Sequence, residues 1–167
     1  LAYALKRAAI REGQSVLDLG CGRGELLYHA QKAGARAVGT DYAAAALAVA
    51  RETAPGLVLR CDAKALPFAA ASFDRAFLLG VIDHLHDWEL ELCFDELGRV
   101  LRPGGRVVVQ TCTNRLHYKT LTYNLRSRLA RGARSLGLPV REPSRPRSDE
   151  DEALHVNEHS LGDLERF

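Results

Sequence analysis

Residues 16–25 read VLDLGCGRGE, and no other stretch of this chain restricts the fold as tightly. The apolar run Val16, Leu17, Asp18, Leu19 has the pattern of a buried strand, and it stops at Gly20-Cys21-Gly22-Arg23-Gly24. Glu25, Leu26, Leu27, Tyr28, His29 and Ala30 follow with helical composition. A strand, a glycine turn and a helix in direct succession present unpaired backbone N–H groups beside backbone that a ligand can approach closely. Glycine suits such a turn because positive φ costs it little and any Cβ would hold a ligand away. This is the pattern of a nucleotide-type cofactor site; the plainer reading is a tight strand–helix connection.

The glycine spacing narrows the ligand. A dinucleotide fingerprint places its third glycine three positions after the second, where it allows close helix–sheet packing. Here Gly24 follows Gly22 by only two positions, and Glu25 stands where the fingerprint needs glycine. Asp18 lies just ahead of the turn. A carboxylate there suits a ligand bearing an ammonium group and repels a pyrophosphate. The turn is therefore matched to a zwitterionic amino-acid moiety. No Gly-Lys-Ser/Thr follows, so the phosphate-loop pattern is absent.

A chain of 167 residues suits one domain with a real core. Apolar residues make up 47% and charged residues 26%, ordinary for a soluble globular protein, and a net charge of +2 singles out no partner. No run approaches the roughly 18 apolar residues of a membrane span, and the start, LAYALKR, is too short and interrupted for a secretory signal. The sequence has no methionine, so Leu1 is not an initiator and the chain reads as a fragment or trimmed form. Cys21, Cys61, Cys93 and Cys112 are scattered, with no C-x-x-C pair. They read as small buried residues of a reducing compartment, the cytoplasm, and not as metal ligands or a disulfide framework.

Strand and helix patterns alternate with short connections, which predicts an α/β fold: a Rossmann-like, doubly wound, mostly parallel sheet with helices on both faces. Helices are expected over 2–10, 25–32, 43–53 and 89–101, and strands over 16–19, 35–40, 57–61, 73–79 and 106–111. Residues 1–112 would form this core. Over 113–137 the texture changes. Tyr118, Leu121, Thr122, Leu125, Leu129, Ala133 and Leu136 fall at helical spacing on one face, while Arg115, Lys119, Arg126, Arg128, Arg131 and Arg134 populate the rest. This is a basic amphipathic helix. Either its apolar stripe packs over the sheet end, or it is a lid or membrane-surface element that meets an anionic substrate or headgroups through 115–134. Residues 138–153, rich in Pro, Arg and acids, read as a linker and a candidate for disorder. Residues 154–167 read as the start of a final helix with Ser160 as its N-cap.

In an open parallel sheet, ligands bind beyond the carboxyl ends of the strands. The first strand ends on Gly20-Cys21-Gly22. The second ends on Asp41, about twenty residues past the glycine turn, where an acid can accept two ribose hydroxyl protons. The third ends on Asp62-Ala63 and the fourth on Gly80-Val81-Ile82-Asp83-His84. Each acid alone is commonly a turn former; together with the glycine turn they point to one site.

With these segments in place the chain resembles a class I S-adenosylmethionine-dependent methyltransferase, of the broad small-molecule group called methyltransferase type 11. The resemblance is carried by VLDLGCGRGEL, AVGTDYA, CDAKALPFAAASFDRAFLLGVIDHL and LGRVLRPGGRVVVQT, which cover residues 15–111 nearly without gaps. It implies that Asp18, Gly20, Cys21 and Gly22 hold the methionine end of S-adenosylmethionine. It implies further that Asp41 takes the ribose hydroxyls with Tyr42 beside the adenine, and that Asp62 accepts the adenine amino group beside the Ala63 backbone. Leu79, Gly80 and Asp83 would line the sulfonium end, and Pro103-Gly104-Gly105 is the family's turn before the fifth strand. The family sheet closes with an antiparallel hairpin after a final helix; this chain ends before it, so the hairpin reads as truncated.

Methyl transfer from a sulfonium is an in-line displacement, so positioning the acceptor in a dry pocket is the main task. A hydroxyl acceptor also needs a general base near the fourth strand's end, and His84 is the first candidate, with Asp83 or His86 behind it. The alternative is that His84 only shapes the pocket. His84, His86 and Asp87 have a spacing compatible with a metal, but spacing alone is weak and none is expected. His117, Tyr118 and His155 would face the acceptor from the lid side. A small-molecule acceptor, lipid- or sugar-linked compounds included, is the expected partner. Nucleic acid is disfavoured, because Ile82-Asp83-His84-Leu85 stands where base-amino methyltransferases carry Asn/Asp-Pro-Pro-Tyr/Phe. Two competing readings stay open: a catalytically silent binding module, and a nicotinamide-dependent oxidoreductase, against which Asp18 and the glycine spacing count. Nothing in the sequence sets the oligomeric state.

Overall fold

A computed structural model of the chain describes residues 1–111 and 118–141. Its elements are α1 (Ala2–Ala8), β1 (Ser15–Leu19), α2 (Glu25–Lys32), β2 (Arg36–Asp41), α3 (Ala44–Thr53), β3 (Leu57–Arg60), β4 (Phe73–Leu79), α4 (Asp87–Val100), β5 (Leu101–Gln110) and α5 (Tyr118–Ser135), with a short 3-10 turn at Ile82–His84. The five strands form one sheet in the order β3-β2-β1-β4-β5, and every pairing is parallel. This is the doubly wound α/β arrangement expected of the sequence. The chain runs outward from β1 to β3, then crosses to the other side of β1, which opens a crevice where the order reverses.

Strand alternation sends side chains to both faces. Leu17 and Leu19 of β1 and Ala76 and Leu78 of β4 pack with Leu90, Cys93, Leu97 and Val100, the buried stripe of α4. Val16 and Phe77 point the other way, toward Ala4 and Ala8 of α1 and Leu26 and Ala30 of α2. A third cluster joins Leu27 of α2 to Leu47 and Ala50 of α3 and to Val58 of β3. Small alanines at the helix–sheet contacts let the helices lie close to the strands.

Two element bounds differ from expectation in an informative way. The fourth helix stops at Val100 and β5 begins at Leu101, so Pro103-Gly104-Gly105 lies within the strand's span and not ahead of it. Phe73 pairs with Leu101, but Arg75 pairs with Arg106, so the intervening residues bulge out of register. A proline without an N–H and a glycine at φ 77° are suited to such a bulge. The expected linker beyond residue 141 and the final helix at Ser160 lie outside the described residues, as do Cys112, His117 and His155.

Candidate cofactor site

The carboxyl ends of β1, β2, β3 and β4 converge on a cavity of about 740 Å³. Leu19, Gly20 and Gly22 come from β1 and the turn after it, and Thr40, Asp41 and Tyr42 from the end of β2. Cys61, Asp62, Ala63 and Lys64 follow β3; Leu79, Gly80 and Val81 follow β4; and His84, Leu85 and Glu89 close the far wall. Convergence of four strand ends is what parallel pairing dictates.

The glycine turn is stitched to β2. The backbone N–H groups of Gly20 and Cys21 both donate to the Thr40 carbonyl at 2.8 Å. Gly20 sits at φ 74°, and a Cβ there would run into the Val81 side chain, so glycine is required twice over. The Gly22 N–H donates to Asp41 Oδ2 at 2.9 Å, and the Ala43 N–H donates to Asp41 Oδ1 at 2.8 Å. Each Asp41 oxygen is thus aimed by one backbone donor and keeps further acceptor capacity toward the cavity.

Asp18 is 2% exposed, and among the described residues no group donates a hydrogen bond to its carboxylate. Burial, then the nearby charges of Asp41 and Glu25, push its carboxyl up to about 7. A buried acid without a donor, facing two other acids, is a site short of a cation. An ammonium or sulfonium group supplies that cation, so the residues fit S-adenosylmethionine. Asp62 lines the cavity after β3. Its Oδ1 accepts the Lys64 N–H at 2.9 Å and lies 3.1 Å from Lys64 Nζ, and these contacts hold its carboxyl below the usual range.

Other expected site residues lie differently. The Cys21 side chain faces away from the cavity, into the cluster of Leu27, Leu47 and Ala50, and burial pushes its thiol up to about 12. Only the turn's backbone serves at this position. Gly39 on β2 makes room for it, since a Cβ there would sit 3.0 Å from Cys21 Sγ. Asp83 does not line the cavity; it is fully buried and accepts a hydrogen bond from the Thr111 hydroxyl, tying the 3-10 turn to the end of β5. His84, by contrast, is exposed and lines the cavity. Tyr42 lines it too, 70% exposed, with the Arg60 guanidinium 5.2 Å from its ring centre.

Sequence reasoning passed over Lys64 and Glu89. Lys64 Nζ is 2.8 Å from Glu89 Oε1, and Glu89 Oε2 accepts the His86 N–H at 3.0 Å. One carboxylate therefore caps the start of α4 and clasps the loop after β3. The signal available in the sequence was Glu89 three residues past His86, the spacing of a capping box.

Residues 17–109, more than half of the chain, match the family described as methyltransferase domain. A demethylmenaquinone methyltransferase of Thermus thermophilus is 41% identical over 113 residues, 64% of this chain and 49% of that protein. A malonyl-[acyl-carrier protein] O-methyltransferase of Erwinia billingiae is 40% identical over 110 residues, 62% of this chain and 41% of that protein. The chain thus spans less than half the length of these curated relatives. A crystal structure of an S-adenosylmethionine dependent methyltransferase from Mesorhizobium loti superposes with a TM-score of 0.60 at 28% identity, covering 66% of this chain and 52% of that one. The glycine turn, the uncompensated Asp18 and the strand-end acids thus stand in a chain that belongs to the methyltransferase domain family, with S-adenosylmethionine as its cofactor.

Proposed function

We propose that the protein transfers the methyl group of S-adenosylmethionine to a small-molecule acceptor. The observation that carries this reading is the buried, donorless carboxylate of Asp18, which does not itself line the cavity but directly precedes the lining residue Leu19 and feels the charge of the rim acid Asp41. When bound, the cofactor supplies a methyl group on a sulfonium, with a neutral thioether as leaving group. Asp18 and the turn at Gly20 and Gly22 would hold its amino-acid end, Asp41 its ribose, and Asp62 with Ala63 its adenine. Leu79, Val81 and Leu85 exclude water from the reacting end. His84 stands on the same wall and takes the proton of an acceptor hydroxyl. Asp83, anchored by Thr111, acts through it as a positioning residue. Small, partly lipidic acceptors are supported by relatives named for demethylmenaquinone and malonyl-[acyl-carrier protein]. A cytoplasmic setting agrees with the thiols of Cys21, Cys61 and Cys93, which are free.

Calorimetric titration with S-adenosylhomocysteine and, separately, with NAD tests the cofactor half. Binding of the first alone is expected, and NAD binding alone sinks the reading. Once an acceptor is in hand, His84→Asn is expected to lower kcat by about 10²–10⁴-fold with KM for the cofactor unchanged. A loss below about tenfold would leave His84 shaping the pocket only.

A further inference from the structure

Helix α5 is turned inside out relative to the simple expectation for an amphipathic helix. Among its described side chains the buried ones are the small residues Ser127 and Ala130, each 5% exposed. Leu125, Leu129 and Leu136 are 60%, 64% and 81% exposed. At 3.6 residues per turn Leu125 and Leu129 share the side opposite Ser127 and Ala130, and Leu136 stands in the turn that follows the helix. Leu125 and Leu129 therefore face outward. Arg126 and Arg128, both exposed, border them on either side. Among the described residues neither they nor Arg131 have an acidic partner. The sequence holds no Asp or Glu between Glu96 and Glu142, so nothing within the helix or its flanks neutralises it.

We propose that α5 is a docking helix for an anionic lipid surface, lying in the interface with Leu125 and Leu129, and Leu136 just past its end, among the acyl chains and Arg126 and Arg128 at the headgroups. Leucines between arginines match the two layers of such a surface, apolar below and negative above. Nucleic acid would answer the arginines alone. The acidic run at 149–152 would likewise pair with arginines and leave the leucines uncovered, since it has no apolar side chain. No described helix is long and apolar enough to cross a membrane, so α5 lies on the surface and does not span it. The chain enters α5 after β5, from the end of the sheet where Thr111 meets Asp83, one residue before His84.

Flotation of the full chain with phosphatidylcholine vesicles, with and without phosphatidylglycerol, tests this. The chain is expected to float with the anionic vesicles at low salt and to dissociate as salt rises. Leu125→Gln with Leu129→Gln is expected to lower the partition by at least about tenfold, and Arg126→Gln with Arg128→Gln to remove the preference for phosphatidylglycerol. Both pairs are exposed, so unchanged thermal melts and unchanged S-adenosylhomocysteine affinity accompany these losses. The proposal is overturned if the wild-type chain stays with the soluble fraction, or if the leucine pair changes nothing. It also falls if the leucines instead hold a dimer in sedimentation, or if a DNA duplex displaces the vesicles. Restored flotation only after neutralising residues 149–152 would assign the helix to the chain's own acidic segment. Cofactor binding is measured separately, so failure here leaves the methyltransferase reading untouched.

Discussion

Asp18 sets stability against binding. Its carboxyl titrates at about 7 in the native state against an ordinary 3.8, because burial and the charges of Asp41 and Glu25 oppose ionisation. The unfolded chain gives up this proton near pH 4 and the native chain only near pH 7, so the native state binds the extra proton between those values. Stability attributable to Asp18 is therefore full below pH 4, declines as pH rises to 7, and stays low above it. A shift of that size corresponds to about 4 kcal/mol. Asp18→Asn keeps the shape and removes the charge. It is expected to raise Tm at pH 8, to leave Tm at pH 4 unchanged, and to weaken S-adenosylmethionine binding more than about tenfold. Equal melting of variant and wild type at pH 8 would remove the basis of this account. Because a cationic ligand favours the ionised acid, binding at pH 6 is also expected to release close to one proton, and binding at pH 8 none. Calorimetry in two buffers of different ionisation enthalpy reads that difference.

At the scale of elements, the segment between β3 and β4 carries Asp62 without helix or strand of its own, and α4 holds it in place. The Leu66 N–H donates to Glu96 Oε2 at 2.6 Å, and Arg99 donates to the carbonyls of Phe68 at 2.7 Å and Leu66 at 2.9 Å. Leu66 is buried, and the rings of Phe68 and Phe73 meet edge to face. Arg99→Ala is expected to speed amide exchange over residues 66–72 and lower Tm, and to raise KM for the cofactor more than it changes kcat. Unchanged exchange there would show that the apolar contacts suffice. Lys64→Met probes the other clasp. It frees Glu89 and one contact to Asp62, so cofactor affinity is expected to fall by roughly threefold to tenfold, as for a partly exposed charged pair. Titration with S-adenosylhomocysteine measures it. The Pro103-Gly104-Gly105 bulge belongs to this scale too: proline and glycine read locally as the end of an element, while strand pairing on both sides absorbs them into β5.

For the whole molecule, strand order places the cavity. β1 and β4 are neighbours although β2 and β3 separate them in sequence, so the glycine turn after β1 meets Gly80 and Val81 after β4. A ligand bridging four strand ends holds the native sheet together and has no counterpart site in the unfolded chain. Saturation at about 100 times Kd is worth about 2.7 kcal/mol, which is expected to raise Tm by roughly 5–10 °C. A thermal shift assay with S-adenosylhomocysteine checks it, and a shift below about 2 °C at that concentration would mean that the strand ends are not bound together.

What was legible in the sequence is what depends on neighbours along the chain. The alternation of strands and helices, the turn at Gly20 to Gly24, and the acids Asp41 and Asp62 at strand ends follow from local pattern and backbone chemistry, and with them the parallel sheet and its cofactor. What only the tertiary structure decided rests on contacts between distant segments: the burial of Asp83 against Thr111, the inward turn of Cys21 beneath Gly39, the Lys64–Glu89 clasp and the outward Leu125 and Leu129 of α5. Helical spacing places Leu125 and Leu129 on one face, but which face meets the protein is settled by the partner surface, and here that surface takes Ser127 and Ala130.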